Sequence, residues 1–173
     1  MSPEDSNDGP IHICVVCSGN ICRSPYAEVL LRHAGRERGW GESVRVTSAG
    51  TLGISDHPAH ELTLAVAAEK GMSLMTFRST PLSDELLETV DLFLLLGHEH
   101  RSWFEERSVP ASARVWLFTQ PGQEPPADEI PGILDPIGFE EDAYREALQS
   151  IDTALPPLLD AIDTTFSLRQ KGA

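Results

Sequence analysis

Residues 11–16 read Ile-His-Ile-Cys-Val-Val and run directly into Cys17-Ser18-Gly19-Asn20-Ile21-Cys22-Arg23-Ser24-Pro25. A short, β-branched, almost continuously apolar run suits a strand covered on both faces, as in a parallel sheet. Pro25 suits the first turn of a helix, where its missing N–H costs nothing. The chain therefore opens on a strand–turn–helix unit, and a parallel partner strand then requires a crossover. The rest of the sequence repeats that alternation. An amphipathic helix is expected over 27–38, stopped by Gly39, and a second strand over 44–48. A Gly- and Ser-containing loop follows over 49–57, then a helix over 58–70 ended by Gly71. Ser83 with Asp84 and Glu85 reads as a capped helix start. Residues 91–96 give a third buried strand, 98–107 a helix and 114–118 a fourth strand. Residues 120–136 hold five prolines and two glycines and read as a long loop, of a length that is often functional. A last helix is expected over 139–166, kinked or split by Pro156 and Pro157. Such alternation predicts an open, mostly parallel α/β sheet, with ligands beyond the carboxyl ends of its strands.

A length of 173 residues fits one domain, expected over 11–166, with tails over 1–10 and 167–173. The acidic, polar start is expected to be neither a signal peptide nor an anchor, and no apolar stretch reaches membrane-spanning length. The formal net charge of -14 (13 basic against 27 acidic residues) argues against nonspecific binding to nucleic acid or an anionic membrane. It leaves room for a phosphate substrate, because one pocket can be positive on an acidic protein. The three cysteines cluster at 14, 17 and 22 instead of spreading as disulfide pairs, which predicts reduced thiols and a cytoplasmic protein. A monomer is expected.

A turn that feeds a helix N-terminus aims backbone N–H groups at one point and makes an anion site. That field favours the thiolate, the reactive form of a cysteine held there. Arg23, six residues after Cys17, adds a planar fork of donors suited to phosphate oxygens. A nucleophile inside an oxyanion cradle is the minimum apparatus for phosphoryl transfer through a cysteinyl-phosphate. The bland alternative is a buried cysteine near a surface arginine; Gly19, Asn20, Ser24 and Pro25 in a strand–turn–helix context weigh against it. Phosphate esters leave poorly as oxyanions, so a positioned proton donor is also needed. Asp135, before Pro136 in the long loop, is the first choice, ahead of Asp128, Glu129 and Asp142; its alternative is a plain Asp-Pro turn. Cys14-x-x-Cys17 has redox spacing, but that motif normally opens a helix and Cys14 falls in a strand. A zinc site from His12, Cys14, Cys17 and Cys22 fails for the same reason, since alternate strand side chains point apart. His57, His60, His98 and His100 are expected to face solvent. No metal and no cofactor is expected.

The stretch from Val15 to Glu28 (Val-Val-Cys-Ser-Gly-Asn-Ile-Cys-Arg-Ser-Pro-Tyr-Ala-Glu) resembles the signature of the low-molecular-weight protein tyrosine phosphatases. The resemblance continues at Ser48-Ala49-Gly50-Thr51 and Leu134-Asp135-Pro136. It implies a four-stranded parallel twisted sheet flanked by helices on both faces, a flavodoxin-like three-layer sandwich. It further implies that Cys17 is the nucleophile, that Arg23 clamps the phosphate, and that backbone N–H groups of Ser18, Gly19, Asn20, Ile21 and Cys22 hold phosphoryl oxygens. Ser24 would stabilise the thiolate, Asn20 would fix the loop with Ser48 as partner, and Asp135 would act as general acid and then base. Cys22 would form a reversible disulfide with Cys17. The implied substrates are phosphorylated proteins, with phosphotyrosine cleaved and inorganic phosphate released. Two features depart from the tyrosine-selective pattern. Ile54 stands where an aromatic wall is expected, forfeiting a stacking term of about 0.5–1.5 kcal/mol, and Phe77 stands where a loop-supporting histidine is expected. Ser79-Thr80-Pro81-Leu82 and Gly97-His98-Glu99-His100 resemble the arginine-phosphatase branch, so protein phosphoarginine is the runner-up. Ile21 is the residue that tyrosine-selective members carry. An arsenate reductase would need two further cysteines downstream. A catalytically silent phosphate-binding adaptor is the reading from a different class.

Overall fold

Four strands, β1 (Ile11–Cys17), β2 (Val44–Gly50), β3 (Leu92–Leu95) and β4 (Arg114–Leu117), pair in the order β2-β1-β3-β4, every pair parallel. They belong to a computed structural model in which residues 9–168 are described. Five α-helices connect or follow them: α1 (Arg23–Glu37), α2 (Glu61–Glu69), α3 (Asp84–Thr89), α4 (Arg101–Glu105) and α5 (Glu141–Phe166).

The alternation of side chains along a strand divides the interior into two layers. Ile13, Val15 and Cys17 of β1 share one core with Val46, Leu92, Leu94 and Trp116, under Tyr26 and Leu31 of α1, Val66 of α2 and the apolar seam of α5. Cys14 and Val16 face the opposite core with Phe93, Leu95 and Leu117, under Leu87 of α3 and Phe104 of α4. β1 is buried from His12 onward, which is why its sequence lacks polar alternation. The result is the expected flavodoxin-like three-layer sandwich.

The strand order places the site. The chain leaves β1 toward β2 on one side, then crosses to β3 on the other, so a crevice opens at the carboxyl end of β1. Cys17 is the last residue of β1.

Several boundaries differ from the sequence expectation, each for a local reason. α1 begins at Arg23, not 27, because Arg23 and Ser24 are buried by polar contacts that hydrophobic periodicity does not register. β2 extends through Ala49 and Gly50, which pair with Val16 and Cys17. α2 starts only at Glu61, since His60 is extended (ψ 144°) and caps the helix, its side chain accepting the Leu62 N–H, while its own N–H bonds the Ile21 carbonyl at 2.7 Å. Ser83 caps α3 by position but makes no side-chain capping bond. The segment expected as one helix over 98–107 is a 3-10 turn, His98–His100, followed by α4. α5 is not split: Pro156 and Pro157 lie inside it. Both prolines face solvent, where the carbonyls they leave unpaired can meet water. Leu155, Leu158, Leu159 and Ile162 keep the buried seam continuous across them. Of the expected tails, residues 1–8 and 169–173 lie outside the described residues; Leu168 is 5% exposed and joins the core. Among the described residues no helix is long and apolar enough to cross a membrane.

Candidate active site

The turn after β1 is pinned from both neighbouring segments. The carbonyls of Cys17 and Ser18 accept the N–H groups of Thr51 (3.1 Å) and Leu52 (2.9 Å). The close approach requires Gly50: a Cβ there would stand 2.7 Å from the Ser18 carbonyl oxygen and 2.9 Å from the Asn20 nitrogen. Asn20 takes the left-handed conformation with φ 57°, which Asn tolerates better than most residues. Its fully buried side chain ties three segments together. Nδ2 donates to Ser24 Oγ (2.7 Å) and Ser48 Oγ (2.9 Å), and Oδ1 accepts the Thr80 N–H (2.8 Å). Ser48 in turn donates to Glu28 Oε1 at 3.0 Å, while Arg32 Nη2 holds Glu28 Oε2 (3.1 Å) and the Val46 carbonyl (2.9 Å). Burial pushes the Glu28 carboxyl up from its ordinary range, and Arg32 opposes that. The expected Asn20–Ser48 bond is thus one link of a longer network.

This turn surrounds the sulfur of Cys17. The Asn20 N–H donates to Sγ at 3.3 Å, and Ser24 Oγ lies 2.9 Å from it. A Cys17 thiolate can only accept, so in that state Ser24, which accepts from Asn20, donates its own proton to the sulfur. The leading N–H groups of α1, which starts at Arg23, have no acceptors within the helix.

Arg23 is the second centre. Only 1% of it is exposed. Nη1 donates to Glu99 Oε1 (3.0 Å) and to the Ile133 carbonyl (2.7 Å), Nη2 to Ser18 Oγ (3.4 Å). Asp135 Oδ2 lies 3.6 Å from Nη2, and its Oδ1 accepts the Ile137 N–H at 3.1 Å. The long loop reaches the site because the Ile133 N–H bonds the Leu96 carbonyl (2.7 Å) just past β3, and because Gly132 packs on Gly97, where a Cβ would meet Gly97 Cα at 2.7 Å. His100, also 1% exposed, completes the floor. Its Nδ1 accepts the Gly97 N–H (3.1 Å), so Nε2 carries the proton and donates to Ser18 Oγ (3.0 Å). Burial drives the His100 imidazole down to about 4, so it is neutral near pH 7.

Of the residues named from sequence, Cys17 and Arg23 bound one turn, and the long loop brings Asp135 to Arg23. Ile21 and Ile54, both half-buried, meet over Gly19: a Cβ on Gly19 would lie 3.3 Å from Ile21 Cγ1 and 3.7 Å from Ile54 Cδ1. Cys22 is a free thiol whose Sγ lies 3.2 Å from Tyr144 Oη, and burial pushes it up to about 11. Cys14 and Cys17 face opposite cores, so they form no redox pair. Among the described residues no cluster of His, Cys, Asp or Glu is arranged to hold a metal.

Sequence reasoning missed Glu99, His100 and Glu28. His100 is buried in the site, contrary to the solvent-facing expectation. His60 is half-buried and stacks on Tyr144 with centroids 4.6 Å apart. The available signal was position: Gly97 to His100 directly follow a buried strand at the carboxyl edge of a parallel sheet, where sites form.

The chain is similar to proteins of known family. Residues 12–168 match the family described as low molecular weight phosphotyrosine protein phosphatase. The low molecular weight protein-tyrosine-phosphatase Etp of Escherichia coli is 36% identical over 142 residues, which cover 82% of this chain and 88% of Etp. The protein-arginine-phosphatase of Bacillus subtilis is 30% identical over 146 residues, 84% of this chain and 93% of that protein. A solved structure of a YwlE arginine phosphatase mutant with a phosphorylated active-site serine matches with a TM-score of 0.78 at 27% identity, covering 91% of this chain and 99% of that one.

Proposed function

The chain belongs to the low molecular weight phosphotyrosine protein phosphatase family, and from that premise we propose that it hydrolyses protein phosphotyrosine through a phosphoryl group carried on Cys17. In the first step the Cys17 thiolate attacks phosphorus. The S–P bond forms as the ester P–O bond breaks, and Asp135 gives its carboxyl proton to the departing tyrosine oxygen. In the second step the Asp135 carboxylate takes a proton from water as the water oxygen attacks phosphorus. The S–P bond breaks, the thiolate leaves, and inorganic phosphate departs. Arg23 and the amides of Ser18 to Cys22 carry the equatorial oxygens, where donors fixed in advance give their largest benefit. Ser24 and the Asn20 N–H stabilise the leaving thiolate.

One observation carries this reading: Cys17 Sγ receives the Asn20 N–H and lies beside the Ser24 hydroxyl, on the turn whose Arg23 stands 3.6 Å from Asp135. Phosphotyrosine is favoured by Ile21, the residue that the tyrosine-selective pattern carries; Ile54 beside it supplies apolar contact without aromatic stacking. Phosphoarginine is the second reading. It is supported by the likeness to the B. subtilis protein and by the Asp135 carboxylate, a natural partner for a guanidinium, beside Arg23. The three free thiols support a cytoplasmic protein, and membership of the family supports phosphorylated proteins as its substrates.

Turnover of 4-nitrophenyl phosphate, falling to background in Cys17→Ser, is the expected result. A wild-type chain that binds phosphate without turning over any ester is an adaptor and overturns the proposal. Phosphotyrosine peptides are expected to be cleaved faster than phosphoarginine peptides, with Ile21→Thr narrowing the gap. The opposite order in the wild type reverses the substrate assignment.

A further inference from the structure

A guanidinium offers five N–H donors, and a phosphoryl group is best gripped by two parallel ones on a single edge. In Arg23 the two protons of Nη1 are accounted for, one by Glu99 Oε1 at 3.0 Å and one by the Ile133 carbonyl at 2.7 Å. Nη2 makes only a 3.4 Å contact with Ser18 Oγ and lies 3.6 Å from Asp135. Nε makes no hydrogen bond among the described residues. The edge formed by Nε and Nη2 is therefore the one left for a ligand, and the groups on Nη1 decide where it points.

Glu99 reaches Nη1 by folding back over its own turn. A Cβ on Gly97 would lie 2.0 Å from Glu99 Oε2 and 2.6 Å from its Cδ, so the carboxylate fills the space that any larger residue at 97 would occupy. Gly97 has φ -150°, extended backbone open to any residue, so a larger residue at 97 would displace the Glu99 carboxylate without straining the backbone.

We propose that Glu99 is the positioning residue for Arg23: its carboxylate, seated in the space left by Gly97, holds Nη1 together with the Ile133 carbonyl and thereby aims the Nε–Nη2 edge at the phosphoryl group. The proposal rests on the phosphatase reading above. A negative charge beside the cleft opposes a dianion, but the Glu99 side chain is 52% exposed and screened by water. Misaiming a donor by an ångström costs far more.

The test is steady-state turnover of 4-nitrophenyl phosphate by the full chain, with inhibition by orthovanadate as a mimic of the transition state. Glu99→Ala is expected to lower kcat by roughly 10²-fold with a much smaller change in KM, and to weaken vanadate in parallel with kcat. Glu99→Gln keeps an acceptor oxygen and should fall between. Gly97→Ala should reproduce Glu99→Ala by expelling the carboxylate, and the double variant should be no worse than Glu99→Ala alone, as residues acting through one contact are non-additive. Unchanged or faster turnover in Glu99→Ala makes the carboxylate a bystander or a restraint and overturns the proposal. So does a change confined to KM, or additivity of the two substitutions. Absence of turnover in the wild type sinks both this role and the phosphatase reading, whereas wild-type turnover with an unaffected Glu99→Ala sinks this role alone.

Discussion

His100 ties the chemistry of the site to the stability of the fold. Burial is the main cause of its low value; Glu99 opposes, Arg23 reinforces, and the Gly97 backbone and Asp135 oppose. The folded chain holds the imidazole neutral down to about 4, whereas an unfolded one protonates near 6.5. Between those values the unfolded state binds more protons, so stability rises with pH across that window and is lost as pH falls through it. Urea unfolding at several pH values should show the wild type losing stability from about pH 6.5 toward about pH 4, and His100→Gln a shallower loss. Parallel curves would mean that His100 is not the group responsible. The residue was misjudged from sequence because a histidine beside Glu99 on a short polar stretch reads as solvated. It is held in the site by Ser18, which only the fold brings near.

Among the elements, β2 and the long loop matter most, because each delivers something to a turn it does not adjoin in sequence. Gly50 ends β2 against the Ser18 carbonyl, in a space with no room for a methyl group. Gly50→Ala should shift the loop, destabilise the protein by about 1–3 kcal/mol and slow turnover by roughly 10²-fold. Denaturant unfolding and 4-nitrophenyl phosphate kinetics on the same preparation check both, and normal values for each would show that the loop gives way freely. The loop carrying Asp135 was recognisable by its prolines. What holds it, the Ile133 N–H on Leu96 and the Gly132–Gly97 contact, lies in atoms that carry no sequence pattern. Pro156 and Pro157 teach the complementary lesson, since a continuous buried seam outweighs two missing backbone bonds on the solvent side of α5.

At the scale of the molecule, the -14 charge surrounds a cleft built to take a dianion. Long-range repulsion and local attraction separate by ionic strength, because only the former is screened over a Debye length. The kcat/KM for an acidic phosphopeptide should therefore rise from low to physiological ionic strength and that for a basic one should fall; identical salt responses would show that net charge does not govern encounter. The chain's own residues sufficed for the strand–turn–helix opening, the α/β class, and the choice of Cys17 and Arg23 as candidates, because hydrophobic period, Pro and Gly punctuation and a Cys-x5-Arg spacing are all local in sequence; Asp135, alone a plain Asp-Pro turn, became a candidate only beside that cysteine loop. Tertiary structure alone decided that Glu99 and the Ile133 carbonyl grip Arg23, that His100 lies neutral beneath Ser18, and that Gly50 must be glycine. Those contacts join residues up to 110 positions apart, and the decisive quantity in each is the space left when separate segments meet at the end of a parallel sheet, which no local pattern encodes.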